Sequence, residues 1–317
     1  MERAHQIPDI YTYRSQMAAV AVLKVLAYFD IFQYPLTAAE IHEYMNIKGI
    51  TMADLKFELE NLVQRHVLKR TGTYYYFDDA TCVLRREQAN EYSQQLLKET
   101  LKYTKIISRF PFVRGICISG SLSKQNAHLD ADVDYFIITA KNRLWICRTL
   151  LALYKKIFLL NSRKYFCINY FVDMENLAII DKNIYTATEI AFLLPVFNSE
   201  TFLQFLAENT WVSDYYPHKE IEIPEPIKGE KPTMAKKLME GLLNNAFGNM
   251  LDNVFLRLTV LYRKLKFRGL NENEFKNNLR ALKGVSKHHP HSFQERVLKA
   301  YHHKLAQMEK KFWFDLN

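Results

Sequence analysis

The chain has 317 residues, of which 49% are hydrophobic, so it can bury sizeable cores and is too long for one average domain. Lysines and arginines interrupt its longest apolar runs before they reach the roughly 20 residues that a membrane span needs, and we expect no membrane partner. A formal net charge of +9 favours polyanionic partners such as nucleic acid or nucleotides.

The amino terminus and the cysteines indicate the cellular compartment. The residues before Met17 lack the basic and then apolar pattern of an export signal, so we expect a cytoplasmic protein. The four cysteines show no CxxC spacing and lie among apolar residues. This predicts reduced, buried thiols rather than a zinc site or a disulfide framework.

Residues 16–79 are predicted to form three helices followed by a hairpin. An apolar run indicates the first helix, Thr37 and Glu40 have the spacing of a capping box for the second, and Thr51 can cap the third. The hairpin is expected to turn at Thr71-Gly72. This order resembles a winged helix-turn-helix, to which residues 1–84 are assigned.

The winged-helix resemblance implies that the third helix, within residues 51–66, faces the DNA major groove. That segment, however, mixes Asp54, Glu58 and Glu60 with basic residues, which is a poor match for phosphates. Packing or protein contact is therefore the preferred interpretation of this domain, and DNA reading is the alternative.

Two strands beyond a polar helical connector carry the residues that indicate chemistry. The first is followed by a Gly-Ser turn, and the second, over residues 131–138, contains Asp132 and Asp134. Because side chains alternate along a strand, the two acids are expected on one face, about 6 to 7 Å apart. Two carboxylates so close repel each other unless a cation lies between them, which suits Mg²⁺.

The order and spacing of these residues are similar to the polymerase-β-like nucleotidyltransferase superfamily, and the similarity covers roughly residues 112–175. It implies that Gly120 lets the backbone approach a nucleoside triphosphate, that Ser121 hydrogen-bonds it, and that the following helix points its positive end at the phosphates. Lys124, on the next turn, is expected to assist at a phosphate.

The resemblance also implies a metal centre. Asp132 and Asp134 match the paired acids that coordinate two Mg²⁺ ions, one at the triphosphate and one at the attacking hydroxyl. Asp130 has the parity to share their face, but the family spacing favours the later two acids.

A third carboxylate on a neighbouring strand usually completes the site in this superfamily. The strand over residues 164–173 has Asn169 at its centre and Asp173 at its end, both on one face by parity. Asn169 at the family position would hold the second metal weakly, and Asp173 is the candidate substitute. Asp181 and Glu189 are further alternatives, although Glu189 is expected to be structural or solvated rather than on the rim of the site.

The remaining segments are predicted to be helical. A helix over residues 186–197 is expected to stop near Pro195, and a proline-rich linker follows over 221–232. Basic amphipathic helices over 234–268 and 290–313 complete the chain. The resemblance implies that this tail holds the nucleotide base or the acceptor.

The sequence thus predicts an α+β protein with an amino-terminal winged helix, a central nucleotidyltransferase mixed sheet flanked by helices over residues 85–220, and a carboxy-terminal basic helical domain over 221–317. The expected function is Mg²⁺-dependent transfer of a nucleoside monophosphate from a nucleoside triphosphate to a hydroxyl acceptor. One alternative is a nucleic-acid-binding regulator with a degenerate, nucleotide-sensing nucleotidyltransferase domain. Another is a transferase whose acceptor is a protein or a transfer RNA.

Overall fold

A computed structural model describes residues 10–162, 164–221, 231–269, 271–288 and 292–312. The protein is α+β and divides into two compact units. The first combines the residues up to Gln88 with Trp211–Glu220 and the residues from Glu295 onward, and the second combines Ala89–Thr210 with Ile221–Gln294. Across the described ranges, no helix has the length and apolar character to cross a bilayer.

The elements follow one another along the chain with short connections. In order they are α1 (Ile10–Asp30), β1 (Leu36–Thr37), α2 (Ala38–Tyr44), α3 (Met52–Gln64), β2 (Lys69–Thr71), β3 (Tyr74–Tyr76), α4 (Thr81–Ser108), β4 (Val113–Ser119), α5 (Gly120–Ser123), β5 (Asp134–Thr139), α6 (Leu144–Phe158), β6 (Cys167–Asp173), α7 (Ile184–Ala191), β7 (Leu194–Phe197), α8 (Ser199–Ala207), α9 (Met234–Leu243), α10 (Ala246–Lys266), α11 (Glu272–Asn278), β8 (Ala281–Leu282), β9 (Val285–Lys287) and α12 (Phe293–Phe312). A 3₁₀ helix spans Thr210–Asp214.

The first unit contains the predicted helices and hairpin. Thr37 and Thr51 cap α2 and α3, each in a full capping box with the acid three residues later. The apolar face of α3 is buried, and its leucines 55, 59 and 62 have no exposed surface. β2 and β3 pair antiparallel around Gly72, whose φ of 58° suits a glycine turn, and β1 pairs with the other edge of β3. The local predictions for this region are confirmed.

The second unit is built on a six-stranded sheet with the order β7-β4-β5-β6-β9-β8. β5 and β6 are parallel and α6 connects them, whereas the other neighbouring strands are antiparallel. Tyr135 and Trp145 belong to one hydrophobic core on the α6 side of the sheet. Phe136 contacts Phe205 of α8 on the other side, with ring centroids 5.0 Å apart. Because strand side chains alternate, Asp134 shares the face of Phe136 and projects away from α6.

The structure corrects two predictions about the elements. The helix expected over residues 186–197 ends at Ala191, and Leu194–Phe197 is an edge strand that pairs only with β4. An edge strand tolerates Pro195, because one side of its backbone makes no ladder hydrogen bonds. The tail from residue 221 is not purely helical, since β9 pairs with β6 and extends the central sheet. Of the predicted linker, residues 222–230 lie outside the described part of the chain.

The four cysteines are all buried and free, as predicted. Burial raises the pKa of the Cys147 thiol to about 12, and that of Cys167 also to about 12, where the charge of Asp134 adds to the effect. These thiols are therefore protonated and unreactive at neutral pH.

Candidate active site

The Gly-Ser turn and Asp134 lie directly against each other. Ser119, the last residue of β4, is the register partner of Asp134, the first residue of β5. Gly120 follows with a φ of 72°, and a Cβ at this position would lie 2.6 Å from Oδ2 of Asp134. Glycine is therefore required twice, once by the left-handed backbone and once by the carboxylate that occupies the space of a side chain.

The residues expected to bind phosphate surround this turn. Ser121 is half-buried in α5, and Lys124 follows at its end. The ammonium of Lys124 donates to the carbonyl of Gly120 at 3.1 Å and forms an ion pair with Glu189 at 3.0 Å. The helix expected after the turn is a single turn of four residues, so its dipole adds little charge. Lys124 is the cation that this turn offers to an anion.

Asp134 is a carboxylate in an unfavourable setting. It is half-buried, and burial together with the negative charges of Glu189 and Asp132 raises its pKa to about 7. A hydrogen bond from Cys167 and the charge of Lys124 act in the opposite direction without offsetting the rise. Asp132, half-buried just before β5, thus lies close enough to act on Asp134. The structure brings the two predicted acids together.

Asn169 reaches Asp134 from the neighbouring strand. The register between β5 and β6 shifts at this point, because Tyr135 pairs with Ile168 and Phe136 with Tyr170. In this bulge the amide of Asn169 donates to Oδ1 of Asp134 at 2.5 Å. Asn169 therefore occupies the place expected for the third acid, but it presents an N–H to Asp134, and an N–H cannot bind a metal.

Asp173 does not belong to this site, which corrects the prediction that it substitutes for the missing acid. It pairs with Thr139 at the far end of the parallel strands, five residues beyond Asp134, or roughly 17 Å along the strand. Its carboxylate accepts hydrogen bonds from the backbone N–H of Asn142 and Glu175 and from the amide of Asn176. Strand parity therefore failed for Asp173 in both face and position, because the register shift at Asn169 puts Asp173 level with Thr139, on the α6 side of the sheet and opposite to Asp134.

Asp130 and Asp181, two further candidate acids, are not part of this site either. Asp130 is exposed in the loop before β5. Asp181 forms ion pairs with Arg280 at 2.9 Å and Lys287 at 3.5 Å. Neither is among the charges that shift the pKa of Asp134.

Glu189 was expected to be structural or solvated, but it lies close to Lys124 and Asp134. It lies on α7, binds Lys124 and acts on the pKa of Asp134 more strongly than Asp132 does. Tyr185, one turn earlier on the same helix, is half-buried, and Glu189 and Asp134 add to the rise in its pKa that burial causes. The four-residue spacing of Tyr185 and Glu189 places them on one helix face, and this was the available signal.

The donor set suits one hard cation shared with a ligand. Among the described residues, no three His, Cys, Asp or Glu side chains are grouped to hold a metal ion by themselves. Mg²⁺, however, is usually held by one or two carboxylates together with phosphate oxygens and water. Burial raises the pKa of Asp134 most, and the repulsion by Glu189 and Asp132 that adds to the rise is the kind that such a cation relieves. Asp132 and Asp134 therefore fit a Mg²⁺ ion that a triphosphate helps to bind.

A cavity of about 630 Å³ lies near the opposite ends of β4 and β5 from Asp134, with Arg114, Arg143 and Glu240 in its wall. Arg114 forms hydrogen bonds of 2.9 and 3.0 Å with the carboxylate of Glu240. Arg143 donates to the carbonyls of Leu243 and Asn245. The one acid in the lining, Glu240, is paired with Arg114, so this cavity has no pair of carboxylates for a cation and is a weaker site for a Mg²⁺-bound triphosphate than the turn at Gly120.

Comparisons with known protein families, with curated proteins and with solved structures found no match to this chain.

Proposed function

We propose that this protein is a Mg²⁺-dependent nucleotidyltransferase that transfers a nucleoside monophosphate from a nucleoside triphosphate to a hydroxyl acceptor. The observation that carries the proposal is the close approach of a glycine turn to the carboxylate of Asp134, whose pKa is raised by burial and, to a smaller extent, by two neighbouring acids. A turn that exposes backbone suits phosphate groups, and clustered carboxylates suit the cation that accompanies them.

Different residues bind the triphosphate and the cation in this proposal. Ser121 and Lys124 contact the triphosphate, and Lys124 exchanges its ion pair with Glu189 for a phosphate oxygen. Asp132 and Asp134 would hold Mg²⁺, which when bound neutralises triphosphate charge and acidifies the attacking hydroxyl. The acceptor oxygen then bonds to the α-phosphorus, the bond from that phosphorus to the pyrophosphate oxygen breaks, and the hydroxyl proton passes to a base or to water.

Glu189 supplies the third carboxylate in this proposal. It approaches from α7 rather than from β6, where Asn169 stands. Release of Lys124 to a phosphate frees Glu189 to face Asp134 and the acceptor hydroxyl. Glu189→Gln is therefore expected to slow transfer while leaving nucleotide binding largely intact, which single-turnover and binding measurements separate.

The acceptor is expected to be a nucleic acid, a protein or a small molecule with a free hydroxyl. Incubation with each labelled triphosphate, Mg²⁺ and candidate acceptors, followed by mass analysis of the products, tests transfer directly. Asp134→Asn is expected to lower transfer at least about 100-fold, the range for removal of a preorganised electrostatic group. Asp130→Asn is the matched control, since it removes the same charge from an exposed position nearby. Equal rates in wild type and Asp134→Asn would remove this site from the mechanism.

A second candidate function is nucleotide sensing without transfer, in a winged-helix regulator of nucleic acid. The observation that favours it is Asn169, an amide in the place of an acid. Under this alternative a triphosphate raises the melting temperature, no labelled product forms with any acceptor, and DNA affinity falls steeply with salt. Asn169→Asp separates the two functions, because the added carboxylate would increase transfer only in a site that performs it.

A further inference from the structure

Two arginines of the second unit lie beside Trp145, and no carboxylate of the described residues is paired with either of them. The guanidinium carbons of Arg148 on α6 and Arg263 on α10 are 5.7 and 6.0 Å from the centroid of the Trp145 ring. Arg263 is 1% exposed, and Arg148 keeps part of its surface in solvent. Among the described residues, no carboxylate acts on the pKa of either group.

The hydrogen bonds of the two guanidinium groups are incomplete. The terminal nitrogens of Arg263 donate to the carbonyls of Leu279, Arg280 and Lys287 and to the hydroxyl of Ser286, at 3.0 to 3.1 Å. Its Nε and the Nε of Arg148 are both buried and have no hydrogen-bond partner in the described part of the structure. Two charged N–H donors in one region therefore lack an acceptor among the residues that the structure describes.

Such an arrangement is costly unless something compensates it. Burial lowers the pKa of Arg148 to about 10, and burial with the like charge of Arg148 lowers that of Arg263 to about 9. Buried cations in proteins are normally paired with anions. Asp252, a buried acid on the same helix as Arg263, is already bound by the N–H groups of Trp145 and Ile146 and by Lys283. The chain thus supplies no anion to this pair from the residues described.

We propose that Arg148 and Arg263 form a binding site for a compact phosphate anion, either inorganic phosphate or the phosphate group of a small metabolite. Arginine matches tetrahedral oxyanions well, because its planar fork offers paired donors. The burial of Arg263 favours a small anion over a polymer backbone, and the partial exposure of Arg148 gives the entry side. Trp145 packs on the face of the sheet opposite Asp134, so this site is separate from the proposed triphosphate site.

Titration calorimetry on the full chain, with a chelator present and without nucleotide, tests the proposal. The probes are inorganic phosphate and glycerol phosphate, each against sodium chloride at the same ionic strength. Saturable binding is expected, and Arg148→Gln is expected to weaken it at least tenfold. Lys156→Gln is the matched control, because it removes the same charge from an exposed position two turns later on α6. Tighter binding of glycerol phosphate identifies a metabolite phosphate, and tighter binding of the free ion identifies inorganic phosphate.

A stability measurement distinguishes anion binding from mere packing on the ring. Arg148→Met keeps a chain that covers Trp145 but removes the charge that repels Arg263. In phosphate-free buffer it is expected to melt above wild type, and added phosphate is expected to raise the melting temperature of wild type only. Absence of saturable phosphate binding, or an equal affinity in wild type and Arg148→Gln, would overturn the proposal. Asp132→Asn with Asp134→Asn is expected to leave the phosphate response unchanged.

Discussion

Asp134 and Asp173 stand at opposite ends of the same pair of parallel strands, and they differ in how each carboxylate is satisfied. Asp173 is 1% exposed and accepts hydrogen bonds from two backbone N–H groups and one side-chain amide. Asp134 lies among two other acids, and its pKa is raised to about 7. Asp173 stabilises the fold, whereas the negative charge of Asp134 can be neutralised by a bound cation.

The difference between Asp173 and Asp134 suggests how a structural acid can be told from a functional acid in one sheet. An acid whose acceptors the chain itself fills has nothing left to offer a substrate, however well its position in a strand suits a motif. An acid that the fold leaves in repulsion is a better candidate for chemistry, because perturbed pKa values collect at functional sites. The predictions below test this difference, beginning with the largest expected change in stability.

Asp173→Ala is expected to lower the free energy of unfolding by about 3 to 5 kcal/mol, because it removes a buried acceptor and leaves three partly buried donors without it. Urea denaturation measures the change. Asp173→Asn, which keeps one side-chain acceptor, should lose less. Transfer per folded molecule should be unaffected in both variants, and a selective loss of transfer in Asp173→Asn would show that this acid does more than support the fold.

Asp134→Asn is expected to stabilise the protein at pH 8 and to leave it nearly unchanged at pH 4. The folded pKa, about 7, lies above the ordinary value of 3.8, so the stability that the protonated acid provides is lost as pH rises through about 7. The variant keeps that stability, and three pKa units set an upper limit of about 4 kcal/mol on the gain. Thermal melts of both proteins from pH 4 to pH 8 should diverge with rising pH; parallel curves would contradict the unfavourable setting of Asp134.

Gly120→Ala is expected to cost about 1 to 3 kcal/mol, because alanine is strained at a φ of 72° and its Cβ meets the Asp134 carboxylate. Gly72→Ala is the control, since its φ is also positive but no atom lies within 4 Å of the added Cβ. Denaturation curves should show a larger loss for Gly120→Ala. Equal losses would indicate that backbone strain alone, and not contact with Asp134, governs the turn.

The affinity for Mg²⁺ in the presence of a triphosphate is expected to fall as pH drops below about 7, by up to tenfold for each pH unit. The cause is competition, because Asp134 must lose its proton before it binds a cation. Calorimetric titrations at pH 8, 7 and 6 measure the change. An affinity that stays constant over this range would show that Asp134 is not a ligand.

The sequence predicted the parts of this protein that depend on neighbouring residues. The capping threonines, the hairpin at Gly72 and the approach of Gly120 to Asp134 all follow from short patterns, and the structure contains them. What it could not predict depends on contacts between distant segments. Glu189 on α7 reaches the turn through its ion pair with Lys124, and no spacing rule relates two residues that lie 65 positions apart in the sequence.

The wrong prediction for Asp173 also results from contacts between distant segments. Parity does not give the point along a strand at which a neighbouring strand begins, and the bulge at Asn169 moves Asp173 to the face opposite Asp134. β8 and β9 were missed because strands of two and three residues within a basic tail leave too short a pattern to detect.

The pairing of β9 with β6 means that the carboxy-terminal region is not a detachable appendage. The backbone N–H of His288, the residue after β9, donates to the carbonyl of Asn169, whose side chain holds Asp134. A fragment ended near residue 220 would expose β6 as an unpaired edge, which invites intermolecular pairing and aggregation. It would also loosen the bulge from which Asn169 binds Asp134, so assays on such a fragment would understate the activity of the 317-residue chain.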